Sequence, residues 1–277
     1  MKWKGRHIVT WSGFYLLLLA ILTATAPFLT FYGPLEVNLD AVLEPPSASH
    51  LLGTDELGRD IWSRLLYGGR VSLTVGFAAM LVSLFIGVSY GALSGFIGGM
   101  VDRFLMRVVD TLLSLPSIIV IIGLQVFFPK SMLTIMLLIG LTSWMPIARL
   151  IRAEVLSLKG EIFVQASAVV GASPHHLLLR HVLPQTMPTI AVMAIGGVSH
   201  AILTESTLSF LGIGIPPHEA SWGNMLTGVQ TYILSGGWWV ALFPGICITL
   251  TVLAVTFIGD RMQDRFALPQ LKGGESI

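Results

Sequence analysis

Residues 71–97, VSLTVGFAAMLVSLFIGVSYGALSGFI, decide the fold because they form a long apolar run without a charged side chain. A helix that crosses a bilayer needs roughly 20 predominantly apolar residues, and this run exceeds that length. Such a run can also carry a stripe of small residues, which lets a neighbouring helix approach closely in lipid. Small residues recur here at every fourth position, at Ser83, Gly87, Gly91, Gly95 and Gly99. The sequence therefore predicts a tightly packed transmembrane helix.

Further long apolar segments lie on both sides of this run. We predict an all-α, polytopic membrane helix bundle with six transmembrane helices. Their approximate bounds are residues 8–31, 71–97, 109–128, 131–149, 186–210 and 238–258. The first segment shares one feature with a secretory signal peptide, since basic residues precede an apolar run that reaches Ala26. The run continues through Phe31, beyond a usual signal core, which favours a retained helix.

The composition agrees with a membrane protein and excludes other classes. Of the 277 residues, 54% are hydrophobic and 11% are charged, whereas soluble domains carry roughly 25% charged residues. The formal net charge of +1, with dispersed basic residues, offers no basic surface for a nucleic acid. Cys247 is the single cysteine, which excludes an internal disulfide and a cysteine-based zinc motif.

The basic residues predict the orientation, because Lys and Arg are retained on the cytoplasmic side. With the N-terminus inside, twelve of the sixteen basic residues lie in cytoplasmic segments and four lie outside. The four outside are Arg59, Arg64, Arg70 and Lys130. We therefore predict that both termini are cytoplasmic, together with the long segment between the fourth and fifth helices.

These segments divide the chain into two parts. Residues 1–70 hold the N-terminal transmembrane helix and an extracytoplasmic amphipathic loop. Residues 71–277 hold a five-helix core that contains a cytoplasmic segment, residues 152–184, which we call the connecting segment.

The extracytoplasmic loop contains a charged stretch that favours a short helix. Thr54 is predicted to cap this helix, whose first turn would carry Asp55 and Glu56 near the positive end of the helix dipole. Its charged residues are spaced four apart as two pairs, so that they can meet on adjacent turns. The pairs are Asp55 with Arg59 and Asp60 with Arg64. We predict a surface helix that braces the outer mouth of the bundle, with these four residues serving structure or docking.

Two ionisable residues, His200 and Glu205, fall within the predicted fifth transmembrane helix. Such residues are costly in the apolar zone, so each is a candidate to line a pathway through the bundle. Five positions apart, they are offset by about 140° around the helix and need not face one cavity. Glu205 lies near the outer end, where water is expected to reach it. A structural or mouth-lining role is favoured over ligand contact for both.

The sequence lacks the patterns that common catalytic sites need. No H-E-x-x-H pattern is present for a metalloprotease zinc site, and no Gly-Lys pair is present for a phosphate-binding loop. We therefore predict no enzymatic activity, no resident metal and no cofactor for this chain. Energy from ATP would have to come from another chain.

The connecting segment is predicted to form two short helices. Gly171 suits the left-handed position that ends a helix, and Ser173 can cap a second helix that starts at Pro174. Pro184 is expected to end that helix. A projecting amphipathic helix pair needs a partner for its apolar side, such as a groove in another protein. Apolar residues recur at helical spacing at Phe163, Ala166, Val169 and Val170.

The same segment resembles the signature of ABC importer permeases, which reads Glu-Ala-Ala, three residues, Gly, nine residues, Ile-x-Leu-Pro. At this spacing the chain has Gln165-Ala166-Ser167, then Gly171, then His181-Val182-Leu183-Pro184. It departs from the signature at Gln165, Ser167 and His181. The resemblance implies that the matching residues form a coupling helix that seats in a cleft of a separate ATP-hydrolysing subunit. These residues are Gln165, Ala166, Ser167, Gly171, His181, Leu183 and Pro184.

Two further stretches resemble the dipeptide, oligopeptide and nickel branch of these permeases. They are residues 52–60 with Ser63-Arg64, and residues 208–217 with residues 221–224. The resemblance implies a bacterial inner-membrane permease, and its type I importer fold, that imports dipeptides or oligopeptides. It also implies a heterodimer with a second homologous permease subunit, two ATP-binding subunits and an extracytoplasmic substrate-binding protein.

Other functions remain open at this point. Nickel or a metal chelate is an alternative cargo, although the histidines of the connecting segment cannot form one outward-facing site with His200. A secondary transporter or channel would work without ATPase subunits, but no inverted repeat is evident and the signature would have no role. A membrane enzyme lacks a catalytic constellation.

Overall fold

The computed structural model describes the backbone of residues 4–272 and the side chains of residues 9–265. Within these ranges the protein is helical, and an isolated antiparallel bridge joins Thr54 to Asp60. The α-helices are α1 Lys4–Ala24, α2 Ala26–Leu29, α3 Ile61–Ile97, α4 Gly99–Leu113, α5 Ser117–Gln125, α6 Met132–Thr142, α7 Met145–Lys159, α8 Ile162–Val169, α9 Pro174–His176, α10 Met187–Phe210, α11 Val229–Leu234 and α12 Trp239–Lys272. Short 3-10 helices cover Leu39–Ala41, Leu183–Thr186 and Asn224–Leu226, and a π-helix covers Leu177–Val182.

The predicted membrane helix bundle is confirmed. Four helical stretches of the described chain are long and apolar enough to cross a membrane, and the pair α4 and α5 adds a fifth if it is one bent span. Residues Val9–Ala24 of α1 form a shorter apolar helix. The four stretches are Ile61–Ile97, Met132–Lys159, Pro174–Phe210 and Trp239–Arg265. Each of the six predicted apolar segments therefore coincides with helical structure.

The third predicted segment is not one straight helix. Helices α4 and α5 meet at a bend of 80°. Pro116 forms the N-cap of α5 in an extended conformation. Because proline lacks an N–H and disfavours helical geometry in the residue before it, α4 cannot continue through this position. The bend therefore divides the span predicted for residues 109–128.

Helix α3 is the central element and packs against α6, α7 and α10. Gly87, Gly91 and Gly95 face α7, and a β-carbon at Gly91 would lie 2.3 Å from the carbonyl oxygen of Ala148. The predicted packing role of the small-residue stripe is confirmed for these three positions. It is wrong for Gly99, which begins α4 with a positive φ of 61° and has no atom within 4 Å of its β-carbon position.

The predicted helix in the extracytoplasmic loop is wrong. Helix α3 begins at Ile61, and Asp60 caps it by accepting a hydrogen bond from the N–H of Ser63 at 2.8 Å. Thr54 instead donates to the carbonyl oxygen of Ala41 at 2.5 Å. Between them the chain turns at Gly58, whose φ is +68° and whose β-carbon would lie 1.7 Å from a crossing carbonyl oxygen. Such a crossing excludes a helix there, and α3 continues without interruption past the predicted division at residue 70.

The bundle has two different ends. The connecting end carries residues 160–186, where Lys159 donates a hydrogen bond of 2.6 Å to the carbonyl oxygen of Phe96. The loop end carries residues 30–60 and 211–238, where the indole of Trp239 donates a bond of 3.0 Å to the carbonyl oxygen of Thr54. Helices α3 and α12 begin at the loop end, and α10 ends there.

The connecting segment differs from prediction at its second half. Gly171 has a φ of +95° and Ser173 accepts a hydrogen bond from the N–H of His176, so the predicted break and cap are confirmed. Pro184 does not end a helix. The chain stays helical from Pro174 to Phe210, because a π-helix and then a 3-10 turn carry the backbone past the proline, which lacks an N–H.

Candidate functional site

A cavity of about 700 Å³ lies between α3, α6, α7, α10, α12 and the turn that joins α4 to α5. Its volume falls within the roughly 300–1,000 Å³ of typical small-molecule sites. Its wall is mostly apolar, with Met80, Leu112, Ile139 and Met193 among its residues. The polar residues of the wall are Ser83, Ser117, Thr142, Ser143, Ser199, His200, Thr256, Asp260 and Gln263.

His200 is on the cavity wall and is solvent-exposed. The hydroxyl of its neighbour Ser199 is buried and has no hydrogen-bond partner among the described residues. The α10 residues of the wall, 192–201, lie in the middle of that helix, and the α12 residues, 256–263, lie in the half nearer the connecting end.

Glu205 occupies a different environment from His200. It is 0% exposed and is not on the cavity wall, so the expectation that water reaches it is wrong. Its carboxylate accepts hydrogen bonds from Ser72 at 3.0 Å, Ser209 at 2.8 Å and Ser206 at 3.4 Å. A buried carboxylate needs such donors, because burial without them is costly. The separation that the helical offset predicts for His200 and Glu205 is therefore present.

The serine cluster around Glu205 could be anticipated only in part. Ser209 lies one helical turn beyond Glu205, so this contact follows from the sequence. Ser72 is 133 positions away on α3, and nothing in the local sequence pairs it with Glu205. The buried cluster therefore depends on how α3 and α10 pack.

The charged residues of the loop end form one buried cluster. Asp55 accepts a bond of 2.8 Å from Arg59, as the predicted pairing requires, and Arg59 also bonds Glu56. Arg64 lies 3.4 Å from Asp55 rather than pairing with Asp60. The cause is the position of Asp60 at the N-cap of α3, where its other oxygen faces His50 rather than Arg64.

His50 and Tyr232 complete this cluster. His50 is buried, its Nδ1 lies 3.0 Å from Asp60, and its ring stacks on Tyr32 at 4.7 Å between centroids. Burial, followed by the negative charges of Glu56 and Asp55, raises the pKa of Tyr232 on α11. The bond from the Trp239 indole to the carbonyl oxygen of Thr54 ties the same loop to the start of α12.

The connecting segment turns sharply at Gly171. The N–H of Gly171 donates to the carbonyl oxygen of Ala168 at 3.0 Å, and the N–H of Ala172 donates to that of Ser167 at 3.1 Å. These two bonds form a Schellman motif, in which the residue after the helix takes the left-handed conformation that glycine tolerates best. Gly171 therefore sets the direction from α8 into α9.

One side of the connecting segment packs on the bundle. Val164, Leu177 and Val182 are buried in a cluster with residues of α3 and α7. The other side exposes large apolar residues. Ile162 is 84% exposed, Val169 88% and Val170 90%. Exposed apolar patches on this scale mark sites of interaction.

The predicted coupling residues are spread over this segment. Gln165 and Ser167 bond back to carbonyl oxygens of their own segment, those of Gly160 at 3.0 Å and Phe163 at 3.0 Å. His181 is half-buried and its ring lies 5.5 Å from that of His176, since the π-helix brings residues five apart together. Of the other predicted coupling residues, Ala166, Gly171 and Pro184 are exposed and Leu183 is half-buried.

The comparisons with known proteins agree with this arrangement. Residues 59–268 match the model of the family described as binding-protein-dependent transport system inner membrane component. The dipeptide transport system permease protein DppC of Bacillus subtilis (strain 168) is 41% identical over 251 residues, which cover 91% of this chain and 78% of that protein. The oligopeptide transport system permease protein OppC of the same strain is 39% identical over 256 residues, covering 91% of this chain and 83% of that protein.

A solved structure of the MetNI methionine ABC transporter has the same fold. It matches with a TM-score of 0.60 over 73% of this chain and 95% of that chain, at 19% identity. A second crystal form matches with a TM-score of 0.59 over 72% and 94% of the two chains. The chain therefore belongs to the family of binding-protein-dependent transport system inner membrane components, the multi-pass permeases of ABC importers.

Proposed function

We propose that the chain is one permease subunit of an ATP-driven importer that moves dipeptides or oligopeptides into the cytoplasm. The observation that carries this proposal is the identity of 41% and 39% to two peptide-transport permeases, each over 91% of the chain. A putative peptide permease of Brucella suis biovar 1 is also 41% identical over 251 residues. These relatives support peptides over nickel as the cargo.

The cavity is the proposed passage for the cargo. Its mostly apolar wall and few polar groups offer little that would select one side chain or bind a peptide tightly. His200 supplies a polar contact in the passage, while Glu205 is enclosed by protein and is not on the wall. A weakly binding passage suits a transporter, because cargo must leave as readily as it enters. Selection of the cargo would then rest with the binding protein.

The exposed apolar side of α8 is the proposed docking surface for an ATP-hydrolysing subunit. Ile162, Val169 and Val170 supply most of its apolar area, and burying them in a groove would remove that area from water. Gly171 sets the angle between α8 and α9. Because the chain is continuously helical from Pro174 to Phe210, movement of a docked subunit would be transmitted through α9 to α10. Of the proposed coupling residues, Gln165, Ala166 and Ser167 belong to α8, and Gly171 follows it. His181, Leu183 and Pro184 lie on the helical stretch that leads into α10.

The proposed assembly contains a second homologous permease subunit in a heterodimer, two ATP-binding subunits and an extracytoplasmic binding protein. In the proposed orientation both termini and the connecting end are cytoplasmic, which the distribution of basic residues supports. The loop end then faces outward, where Asp55, Arg59, Asp60 and Arg64 hold the surface on which the binding protein would dock. Lipid surrounds the exposed apolar helix faces.

Transport would proceed by alternating access. The loaded binding protein docks at the loop end, and ATP closes the two ATP-binding subunits. The connecting segments transmit that closure to the helices, so that the cavity opens outward and accepts the cargo. Hydrolysis then returns the cavity to the cytoplasmic side.

Purification from the native membrane tests this proposal against a transporter or channel that works alone. We expect an ATPase to co-purify with the wild-type chain and to be lost when Val169 and Val170 are both changed to Asp. Leu39→Asp is the matched control, because Leu39 is also an exposed apolar residue, at 72%, but lies at the loop end. Absence of any ATPase from the wild-type preparation, or its retention by the double variant, would contradict the proposal.

A further inference from the structure

Glu205 is connected to α3, to α10 and to the loop that follows α10. The connection consists of two short chains of hydrogen bonds, each passing through one serine, which we call relays. Ser72 of α3 donates to the carboxylate at 3.0 Å, and its oxygen accepts the N–H of Trp222 at 3.3 Å. Ser209 of α10 donates to the other carboxylate oxygen at 2.8 Å, and its oxygen accepts the N–H of Ile215 at 3.0 Å. Each serine hydroxyl thus donates its proton to the carboxylate and accepts a hydrogen bond from a backbone N–H of the loop.

The carboxylate decides the direction of these serine hydroxyls. A serine hydroxyl has one proton, which must point to an acceptor. While Glu205 accepts both protons, the oxygens of Ser72 and Ser209 remain free to accept from the loop. Without that acceptor, the hydroxyls would turn toward carbonyl oxygens of their own helices, a common alternative for serine in helices. The loop N–H groups would then lose their alignment.

The loop is also seated closely on the two helices. A β-carbon at Gly223 would lie 2.6 Å from the α-carbon of Ser206, and the hydroxyl of Thr227 donates to the carbonyl oxygen of Ser209 at 3.0 Å. Trp222 is fully buried and donates from its indole to the carbonyl oxygen of Leu65 at 2.9 Å. Residues 213–227, which we call the wedge loop, therefore fill the space at the loop ends of α3 and α10.

We propose that Glu205 is a positioning residue that fixes the wedge loop to α3 and α10, so that these three elements move as one rigid block during transport. The block lies directly beyond the cavity, because Ser199 and His200 on α10 precede Glu205 by only five or six residues. Changes in access then arise from movement between this block and the remaining walls, which α4, α5, α6, α7 and α12 provide. The positioning role stands on the contacts above, whereas the rigid motion rests on the proposed transport function.

Thiol labelling of the wedge loop tests the positioning role. The reporter is Ala220→Cys in a Cys247→Ala background, since Ala220 is 5% exposed and cysteine is only slightly larger. We expect Glu205→Leu to raise the labelling rate at least tenfold. Glu205→Gln should raise it less, because its single amide oxygen can still accept the proton of one of the two serines. Thr207→Val is the matched control, because Thr207 is exposed on α10 and bonds its own helix.

A second pair of variants keeps the test decisive if Glu205→Leu fails to insert. Ser72→Ala and Ser209→Ala each remove one relay and leave the carboxylate in place. We expect each to raise labelling above the Thr207→Val control but less than loss of both relays would. Labelling at the parental rate in both serine variants would overturn the positioning role, as would parental labelling in Glu205→Leu.

The rigid motion is tested in the reconstituted complex with its ATPase subunits, with and without ATP and vanadate. Gly196→Cys reports on the cavity, because Gly196 is on its wall and has no atom within 4 Å of its β-carbon position. We expect the labelling rate at residue 196 to change on nucleotide trapping while that at residue 220 stays constant. Increased labelling at residue 220 on trapping would overturn the rigid block. The labelling of Glu205 variants without nucleotide remains readable even if the complex does not import peptides.

Discussion

Replacing Gly171 by valine should uncouple the connecting segment from an ATP-hydrolysing subunit. Gly171 has a φ of +95° and no atom within 4 Å of its β-carbon position, so the effect of a side chain arises from the backbone and not from a clash with a neighbour. Residues other than glycine lose about 1–2 kcal/mol in the left-handed region, and a β-branched residue loses more. The Schellman bonds at this turn would therefore be strained.

This energy corresponds to a roughly 5–30-fold shift between the observed turn and other arrangements. A valine that relaxes to negative φ would send α9 in a different direction and move the apolar side of α8 away from its partner. Because Gly171 lies outside the membrane-spanning helices, insertion should be largely unaffected. We expect ATPase retention and peptide uptake to fall, with uptake falling most.

The assay reconstitutes the complex and measures ATPase retention, cargo-stimulated hydrolysis and uptake. Activity should decrease in the order Gly171, Asn, Ala, Val, since asparagine tolerates the left-handed region better than other side chains. Gly160→Ala is the matched control, because Gly160 has a φ of −79° and an ordinary contact of 3.4 Å at its β-carbon position. Wild-type values for Gly171→Val in all three measurements would refute the reasoning. Loss of the variant from the membrane would show that the turn is needed for folding.

Three further predictions concern orientation, helix capping and packing. In a cysteine-free background, an impermeant thiol reagent should label a cysteine at residue 49 in intact cells but not one at residue 173, and the reverse pattern would overturn the orientation. Asp60→Ala should lower the free energy of unfolding by about 0.5–2 kcal/mol through loss of the α3 N-cap, with Asp60→Asn less severe because asparagine also caps. Thermal unfolding in detergent measures this, and equal stability of both variants would contradict the capping role. Gly91→Leu should prevent close packing of α3 on α7 and reduce the amount of folded permease in the membrane, whereas Gly123→Ala, with no atom within 4 Å of its β-carbon position, should not. Size-exclusion profiles of the two variants should differ accordingly, and matching profiles would argue against the tight contact.

The membrane bundle could be predicted from the sequence because its signals are local. Apolar length predicts helices that cross a bilayer, and a small residue at every fourth position predicts a close helix contact. The turn at Gly171 and the cap at Ser173 also follow from residues that are adjacent in sequence. Each of these features depends on the physical properties of one short segment.

The start of α3 could not be predicted in the same way. Thr54 and Asp60 are both good N-cap residues, and the acidic residues after Thr54 favour a helix there. Asp60 rather than Thr54 is the cap because the backbone at Asn38, twenty positions earlier in the sequence, crosses the chain at Gly58. A long-range approach of two backbones leaves no local signal.

The burial of Glu205 has a similar explanation. Its position near the end of an apolar helix suggests contact with water, but the wedge loop folds back over it. The donor Ser72 and the covering residue Trp222 come from distant parts of the chain, and only the packing of α3 and α10 brings them together. By contrast, helical geometry alone predicts that His200 and Glu205 face different directions.

The most direct test of the account is ATP-driven uptake of a labelled dipeptide into proteoliposomes. The permease is reconstituted with its partner permease, the ATPase subunits and the binding protein encoded with it. We predict accumulation that requires ATP and the ATPase subunits and that falls in Gly171→Val while Gly160→Ala keeps the wild-type rate. Equal uptake without ATPase subunits or ATP would contradict the assignment of this chain as the permease of an ATP-driven peptide importer.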